Sequence, residues 1–272
     1  MAGFTWGGAN GGVQRSGFAS ACRQWVALAL VGVAAMGAAV AQEGMAHKGE
    51  AREGGARDSV DSMAWRVKAC SACHGDQGRA TADGYFPRLA GKPAGYLFQQ
   101  LQNFRDGRRS HPQMAHLLAY LSDDYLREMA DYFAKRQVPY PPPARTRVSA
   151  QELARGQALV LHGDASRGLP ACVACHGAAM TGVLPAVPGL LGLSRDYLNS
   201  QLGAWQTGQR HAQAPDCMAD IARKLSVAEV AAVAGWLAAM RHRLRGQPVA
   251  QLPRPAPLTC AGMAQTSHGE GR

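Results

Sequence analysis

An internal repeat constrains the fold of this chain of 272 residues more than any other feature of its sequence. The motif CSACHG at 70–75 occurs again as CVACHG at 172–177, and FPRLAG at 86–91 occurs again as VPGLLG at 187–192. The second copies follow the first by 102 and 101 residues. The chain is therefore predicted to contain two similar halves in tandem.

The repeat continues towards the C-terminal end of each half. Paired tyrosine, glutamine and arginine positions keep the shift of 101 residues, whereas a methionine and a serine beyond an insertion are shifted by 104. The pairs are Tyr96 and Tyr197, Gln100 and Gln201, Arg109 and Arg210, Met114 and Met218, and Ser122 and Ser226. Agreement over so many positions indicates that one domain has been duplicated.

The first 41 residues are predicted to be a signal peptide that is removed on export. Arg15 and Arg23 precede an apolar run at 25–39, and AVA at 39–41 has the small residues of a cleavage site. The alternative is a permanent membrane anchor, but the run is shorter than the roughly 20 apolar residues that a spanning helix needs. A periplasmic location is therefore expected.

Changes in composition predict the other boundaries. A Pro-rich stretch between the repeats is typical of a semi-rigid spacer, and both ends of the mature chain are expected to carry little regular structure. The predicted segments are a signal peptide at 1–41, a flexible N-terminal segment at 42–58, a first domain at 59–138, a linker at 139–147, a second domain at 148–245 and a tail at 246–272.

Both halves are predicted to be all-α. Ser149 and Ser226 are each followed by glutamate three residues later, which is the spacing of a capping box at a helix N-terminus. Ser122 starts the equivalent helix of the first half, where apolar residues recur at helical spacing. Helices are expected at 96–105, 153–161, 197–206 and 230–240. No run of residues alternates as a strand would.

Each half contains a CxxCH motif, which is the attachment signature of c-type haem. On a helical turn, two thiols separated by two residues reach the two vinyl groups of one porphyrin, and the adjacent histidine meets the iron. The predicted haem-binding residues are Cys70, Cys73, Cys172 and Cys175, and the predicted iron ligands are His74 and His176. Two covalently bound haem c groups are therefore expected.

Two other uses of a CxxC pair are a zinc half-site and a thioredoxin-like dithiol. Zinc ribbons bring their two CxxC units within about 15 to 20 residues of each other, whereas these lie about a hundred residues apart. Each unit is also followed by its own His and Gly. Haem attachment is therefore favoured.

The sixth ligand of each iron is predicted from the repeat. Met114 and Met218 occupy equivalent, loop-like stretches with Pro nearby, shortly before the last helix of each half. A thioether ligand suits a low-spin haem and raises its reduction potential relative to a second histidine. These two methionines are favoured over the other candidates, which are Met129, Met180, His111, His116 and His211.

Further repeated residues are candidates for contacts around the haems. Pro87 and Pro188 are either simple turn residues or the source of backbone carbonyls that accept a hydrogen bond from the ligand histidines and orient them. Arg88, Arg109 and Arg210 are either solvated surface residues, which is the commoner outcome, or contacts of the haem propionates.

Two of the seven cysteines have no role in the leader or in the haem motifs, namely Cys217 and Cys260. In an oxidising compartment they can form a disulfide that ties the tail over the second haem. A free Cys217 with a loose tail fits the sequence equally well. A third alternative makes Cys217 a thiolate ligand in place of Met218, which would lower the potential of that haem and suggest an enzyme.

These motifs resemble those of the di-haem cytochromes c of the cytochrome c4 type over about residues 60–243. The most specific parts are CSACHG at 70–75, FPRLAG at 86–91, FRDGR at 104–108, Met114, LSDD at 121–124 and MADYF at 129–133. The resemblance implies two tandem cytochrome c-like domains facing each other across a pseudo-twofold interface, with His and Met ligands at both irons. It also implies a periplasmic carrier that passes electrons from quinol-oxidising complexes towards terminal oxidases.

The sequence therefore predicts a periplasmic di-haem cytochrome c that transfers single electrons between respiratory redox partners and is not an enzyme. The alternatives are a di-haem oxidoreductase of the peroxidase or thiosulfate-oxidising type, and a cytochrome subunit of a larger dehydrogenase or oxidase.

The net charge limits the possible partners. Without the two arginines of the leader, 27 of the 29 basic residues remain against 19 acidic ones, a net charge of +8. Four propionates reduce it to about +4, a mildly basic surface that does not indicate nucleic-acid binding. A soluble or peripherally membrane-associated carrier is expected.

Overall fold

The computed structural model describes residues 62–144, 148–240 and 246–263. The predicted segments 1–41 and 42–58 lie outside these ranges, as do parts of the predicted first domain, linker, second domain and tail. The helices of the first half are α1 Met63–Arg66, α2 Lys68–His74, α3 Ala94–Arg105, α4 Pro112–Leu118 and α5 Asp123–Ala134. Those of the second half are α6 Ala150–His162, α7 Val173–His176, α8 Arg195–Gln206, α9 Cys217–Lys224 and α10 Val227–Ala239. Within these ranges, none of the helices is long and apolar enough to span a bilayer.

The core of the first half forms where α5 packs against α3. The Ser122 hydroxyl caps α5 by accepting a hydrogen bond from the Tyr125 N–H at 3.3 Å, which satisfies one of the amide groups that a helix start leaves unpaired. One face of α5 is buried, through Leu126, Met129, Ala130 and Phe133. The amphipathic helix predicted from this pattern is confirmed.

The second half is built around the contact between α6 and α10. Both helices begin with the predicted capping box, at Ser149 and at Ser226. Gly156 of α6 faces the backbone of Ala232 in α10, and a Cβ at position 156 would lie 2.6 Å from the Ala232 carbonyl carbon. The lack of a side chain at Gly156 therefore allows the two helices to cross in close contact. The surrounding core includes Leu159, Val160, Met180, Leu198 and Val233.

Two short strands accompany the helices of the second half. β1 Gly182–Val183 pairs antiparallel with β2 Val187–Pro188. Val249 of the tail extends this unit through a parallel bridge to Val183, and its N–H donates to the Gly182 carbonyl at 3.0 Å. The sequence does not predict these strands, because two residues are too few to show an alternating pattern. The helices confirm the all-α class.

Arg88 anchors the Pro-rich linker to the first half. Its buried guanidinium donates to the carbonyls of Val138 at 2.5 Å, Pro139 at 2.9 Å and Ala90 at 3.0 Å. It also lies 4.4 Å from the ring centroid of Tyr140. The expectation of a solvated Arg88 is wrong, because a Pro-rich segment leaves backbone carbonyls that need donors from elsewhere. The exact limits of the linker and of the two domains remain predictions.

A symmetric pair of arginines joins the two halves. Arg109 and Arg210 form an antiparallel bridge. Arg109 donates to Gln100 Oε1 of its own half at 3.0 Å and to Gln201 Oε1 across the interface at 2.6 Å. Arg210 reciprocates, with bonds of 2.8 Å to Gln201 and 2.9 Å to Gln100. The expectation of solvated arginines is wrong here too, because each buried guanidinium finds acceptors in the other half.

Candidate haem sites

The first CxxCH motif lies on α2. Cys70 and Cys73 are about one helical turn apart, and the buried ring of His74 belongs to the last residue of the helix. Gly75 follows with a φ of +77°, and a Cβ there would lie 2.5 Å from the Ala80 carbonyl oxygen. Only glycine permits this turn without strain. The helix end thus brings two thiols and one imidazole together, as the attachment of a haem requires.

Proline carbonyls hold both predicted ligand histidines. His74 Nδ1 lies 2.9 Å from the Pro87 carbonyl oxygen, and His176 Nδ1 lies 2.8 Å from that of Pro188. Because a carbonyl only accepts hydrogen bonds, Nδ1–H is the donor and Nε2 keeps the lone pair that binds a metal. Of the two alternatives for Pro87 and Pro188, these contacts favour the one in which their carbonyls orient the histidines.

Burial shifts the pKa values of the histidines and of thiols in both CxxCH motifs. Burial lowers the pKa of His74 and of His176, an effect that the proline carbonyls oppose, so both rings favour the neutral form that binds iron. Burial raises the pKa of the Cys70 thiol, and it raises that of Cys172 to about 11. Reactive dithiols have lowered thiol pKa values, so a thioredoxin-like role is disfavoured.

The CxxCH motif of the second half opens onto a largely apolar cavity. Cys172, Cys175 and His176 line it together with Met218. Trp205 is also in its wall, and the buried Nε1 of this residue has no hydrogen-bond partner among the described residues. An unpaired buried donor is unfavourable, and a haem propionate is an acceptor of the required kind. The donor set, the apolar wall and the unpaired N–H together fit a c-type haem.

The predicted sixth ligands lie in short helices. Met114 is in α4, which His111 caps by accepting a hydrogen bond from the Met114 N–H at 3.4 Å, and Met218 is in α9. The expectation of loop-like stretches is wrong, since Pro112 occupies the first turn of α4, where proline favours a helix. Met218 lines the same cavity as His176, and Met114 packs half-buried against the core of the first half. The assignment of both as iron ligands remains a prediction.

The other candidate ligands have different structural settings. Met129 belongs to the buried stripe of α5, and Met180 is completely buried in the core of the second half. His111 caps α4 with its ring nitrogen. His116 and His211 are exposed. These settings give no reason to prefer any of the five over the methionines that the repeat pairs.

The tail is tied to the second half by a disulfide. Cys217 and Cys260 are bonded, with their Cα atoms 5.6 Å apart, within the usual range for such a bond. A disulfide sulfur is not a thiolate, so Cys217 is not available as an iron ligand in this state. Leu258 and Cys260 line the same cavity as the second CxxCH motif, and the Gly262 carbonyl accepts a hydrogen bond from Gln99 of the first half at 2.9 Å. The tail therefore closes one side of the second cavity.

Known proteins show the same organisation. No family model matches the chain. The thiosulfate dehydrogenase electron acceptor of Stutzerimonas stutzeri (strain A1501) is 41% identical over 181 residues, which cover 66% of this chain and 82% of that protein. Cytochrome c4 of Pseudomonas aeruginosa is 34% identical over 181 residues, covering 65% of this chain and 87% of that protein. The crystal structure of reduced recombinant cytochrome c4 from Pseudomonas stutzeri matches with a TM-score of 0.56 at 30% identity, over 65% of this chain and 96% of that one.

The similarity extends over most of the length of each of these proteins, and the solved structure has two cytochrome domains. It confirms the resemblance that the repeated motifs predict. It also confirms the expectation of two covalently bound haems and of a role in electron transfer and not in catalysis. This chain belongs to the cytochrome c4 family of di-haem, electron-transferring c-type cytochromes.

Proposed function

We propose that this chain is a periplasmic carrier that transfers single electrons between respiratory redox partners. When bound, each haem supplies an iron that alternates between two oxidation states. The observation that best supports a carrier is that both sites repeat the same bond from histidine to a proline carbonyl, at 2.9 and 2.8 Å. A pair of matched sites fits two electron-transfer centres better than it fits one electron-transfer centre and one catalytic centre.

The proposed ligand set completes this interpretation. The residues that attach and ligate the haems are Cys70, Cys73, His74 and Met114 in the first half, and Cys172, Cys175, His176 and Met218 in the second. Ligation by both His and Met leaves no open coordination position for a substrate, and it favours a relatively high reduction potential. Both consequences suit a carrier.

The interface fixes the arrangement of the two sites. Arg109 and Arg210 each bond to glutamines of both halves, and all of these bonds are 3.0 Å or shorter. Hydrogen bonds from a charged donor are stronger than those between neutral groups. The network therefore supports a constant distance between the haems, which lets an electron that enters at one haem pass to the other.

We propose a thiosulfate dehydrogenase as the electron donor. The relative from Stutzerimonas stutzeri is named the electron acceptor of such an enzyme, and it is 41% identical to this chain. Quinol-oxidising complexes are the alternative donors, and terminal oxidases are the proposed acceptors. Peripheral association with the membrane would bring the chain close to these acceptors.

Covalent attachment of two haems is the first test of this function. Mass spectrometry of the denatured, haem-loaded protein is expected to show the chain plus two haems. Changing Cys70 and Cys73 together to Ala is expected to remove one haem and leave the other, because each motif serves its own half. The matched change of Cys172 and Cys175 is the control. A mass without haem in the unchanged protein would contradict the function.

The partner is tested by the rate of electron entry. Because the mature chain carries 27 basic and 19 acidic residues, association with an acidic donor surface is expected to slow as salt rises. Stopped-flow reduction by thiosulfate dehydrogenase with thiosulfate should show this dependence, whereas reduction by an uncharged small molecule should not. Rapid reduction by a quinol-oxidising complex, with none by the dehydrogenase, would exclude the proposed donor. A rate that does not change with salt would instead indicate docking through an apolar face.

A further inference from the structure

Lys92 belongs to the first half but lies in the wall of the cavity of the second half. Its side chain is buried, and Nζ donates a hydrogen bond to the Gly189 carbonyl oxygen at 2.6 Å. Gly189 directly follows Pro188, whose carbonyl holds the ring of His176. The lysine therefore contacts the turn that orients the predicted iron ligand of the second haem.

The repeat is asymmetric at this position. Lys92 follows Gly91, and the residue that follows the equivalent Gly192 is the buried, apolar Leu193. The first half thus contributes a cation to the second site, and the second half contributes a leucine at the matching position. A property that depends on Lys92 is therefore expected to differ between the two haems.

The surroundings of Lys92 favour an anion in the cavity. Burial, with a smaller contribution from the charge of Arg88, lowers the pKa of Lys92 from 10.5 to about 7. An ammonium group has three hydrogens to donate, so the lysine can donate into the cavity as well as to Gly189. A haem brings two negatively charged propionates, and an opposite charge nearby favours the charged form of a lysine.

We propose that Lys92 is a residue that the first half contributes to the second haem site, where its positive charge raises the reduction potential of that haem. The inference rests on the proposed attachment of the second haem at Cys172, Cys175 and His176. Oxidised haem carries one more positive charge than reduced haem, so Lys92, in the charged form that the propionates favour, disfavours the oxidised form. This contribution favours the passage of electrons from the first haem to the second.

A redox titration of the haem-loaded, full-length chain tests the inference. The unchanged protein should show two one-electron steps, and the step that is lost when Cys172 and Cys175 are both changed to Ala belongs to the second haem. Lys92→Met is expected to lower the potential of that step and leave the other in place. A tenfold change in the equilibrium constant, equal to 59 mV for one electron, is the expected size.

Two further variants make the result specific. Lys92→Gln keeps a donor for Gly189 without the charge, so it is also expected to lower the potential, and it decides the outcome if Lys92→Met fails to fold. Lys135→Met removes the same charge from an exposed position of the first half and should leave both steps nearly unchanged. If the two Lys92 variants leave the second step unchanged, or shift both steps equally, the inference is wrong. An unchanged protein that lacks two reversible steps would contradict the carrier function itself.

Discussion

Gly156→Ala is expected to lower the free energy of unfolding by about 3 kcal/mol, at the upper end of the range for overpacked cores. A Cβ at this position would lie 2.6 Å from the carbonyl carbon of Ala232 and 3.0 Å from the Cβ of Trp236. The first of these atoms belongs to the backbone of α10, so it cannot rotate away as a flexible side chain would. Relief of the collision requires α6 and α10 to move apart, and their contact organises the core of the second half.

Gly203→Ala is the matched control for this prediction. Gly203 lies within α8, and a Cβ there would have no neighbour within 4 Å. Because alanine favours a helix over glycine by up to about 1 kcal/mol, this change is expected to stabilise the protein slightly. Denaturant unfolding of the haem-loaded chain, followed by circular dichroism, measures both changes. Equal effects of the two substitutions would show that the contact between α6 and α10 is not as close as described.

The helices were predictable because their signals are local. Ser149 and Ser226 start capping boxes, and the buried face of α5 recurs at helical spacing, so neighbouring residues alone determine these elements. The local prediction that is wrong concerns the stretches around Met114 and Met218, where a nearby proline suggests a loop. Proline is equally typical of the first turn of a helix, and Pro112 occupies that place in α4.

Contacts between the halves were not predictable, because they depend on residues about a hundred positions apart. From sequence alone, Arg109 is typical of a surface residue. In the structure its guanidinium donates hydrogen bonds to Gln201 Oε1 at 2.6 Å and to the Tyr197 hydroxyl at 2.7 Å, both in the other half. The burial of Lys92 is not predictable for the same reason, since the acceptor of its hydrogen bond is Gly189 of the other half. In both cases the comparison of the two repeats marks the position as unusual. The arginine and the glutamine recur in both halves, whereas Lys92 is replaced by a leucine in the second half.

The contacts of the proline carbonyls, in contrast, were predictable. The bonds of His74 to Pro87 and of His176 to Pro188 join residues of the same half that are only 13 and 12 positions apart. Both prolines recur with the histidines, and a metal-bound histidine usually donates its second ring N–H to an acceptor. The chemistry of a metal-bound histidine thus requires an acceptor for its second ring N–H, and the repeat indicates that a proline carbonyl provides it.

Met218→Ala is expected to abolish the weak long-wavelength band of ferric, Met-ligated haem at one of the two sites. Met218 lines the cavity that contains His176, and alanine has no sulfur to bind the iron. Loss of a thioether ligand is also expected to lower the reduction potential of that haem. Absorption spectra of the oxidised protein should show about half of the original band. Met114→Ala is the matched change in the first half, and the band should disappear when both are combined.

Cys217→Ser and Cys260→Ser distinguish the effect of losing the disulfide from an effect on iron ligation. Either change opens the same link across a separation of 43 residues, for which chain entropy predicts a loss of about 4 kcal/mol of stability. Both variants are therefore expected to unfold at lower denaturant concentration by the same amount and to keep the long-wavelength band, because Met218 is still present. Only Cys217 is adjacent to Met218, so Cys260→Ser controls for the loss of the link alone. If the ligation spectrum changed in Cys217→Ser but neither in Cys260→Ser nor in Met218→Ala, Cys217 would be the ligand, and the second haem would no longer fit a simple carrier.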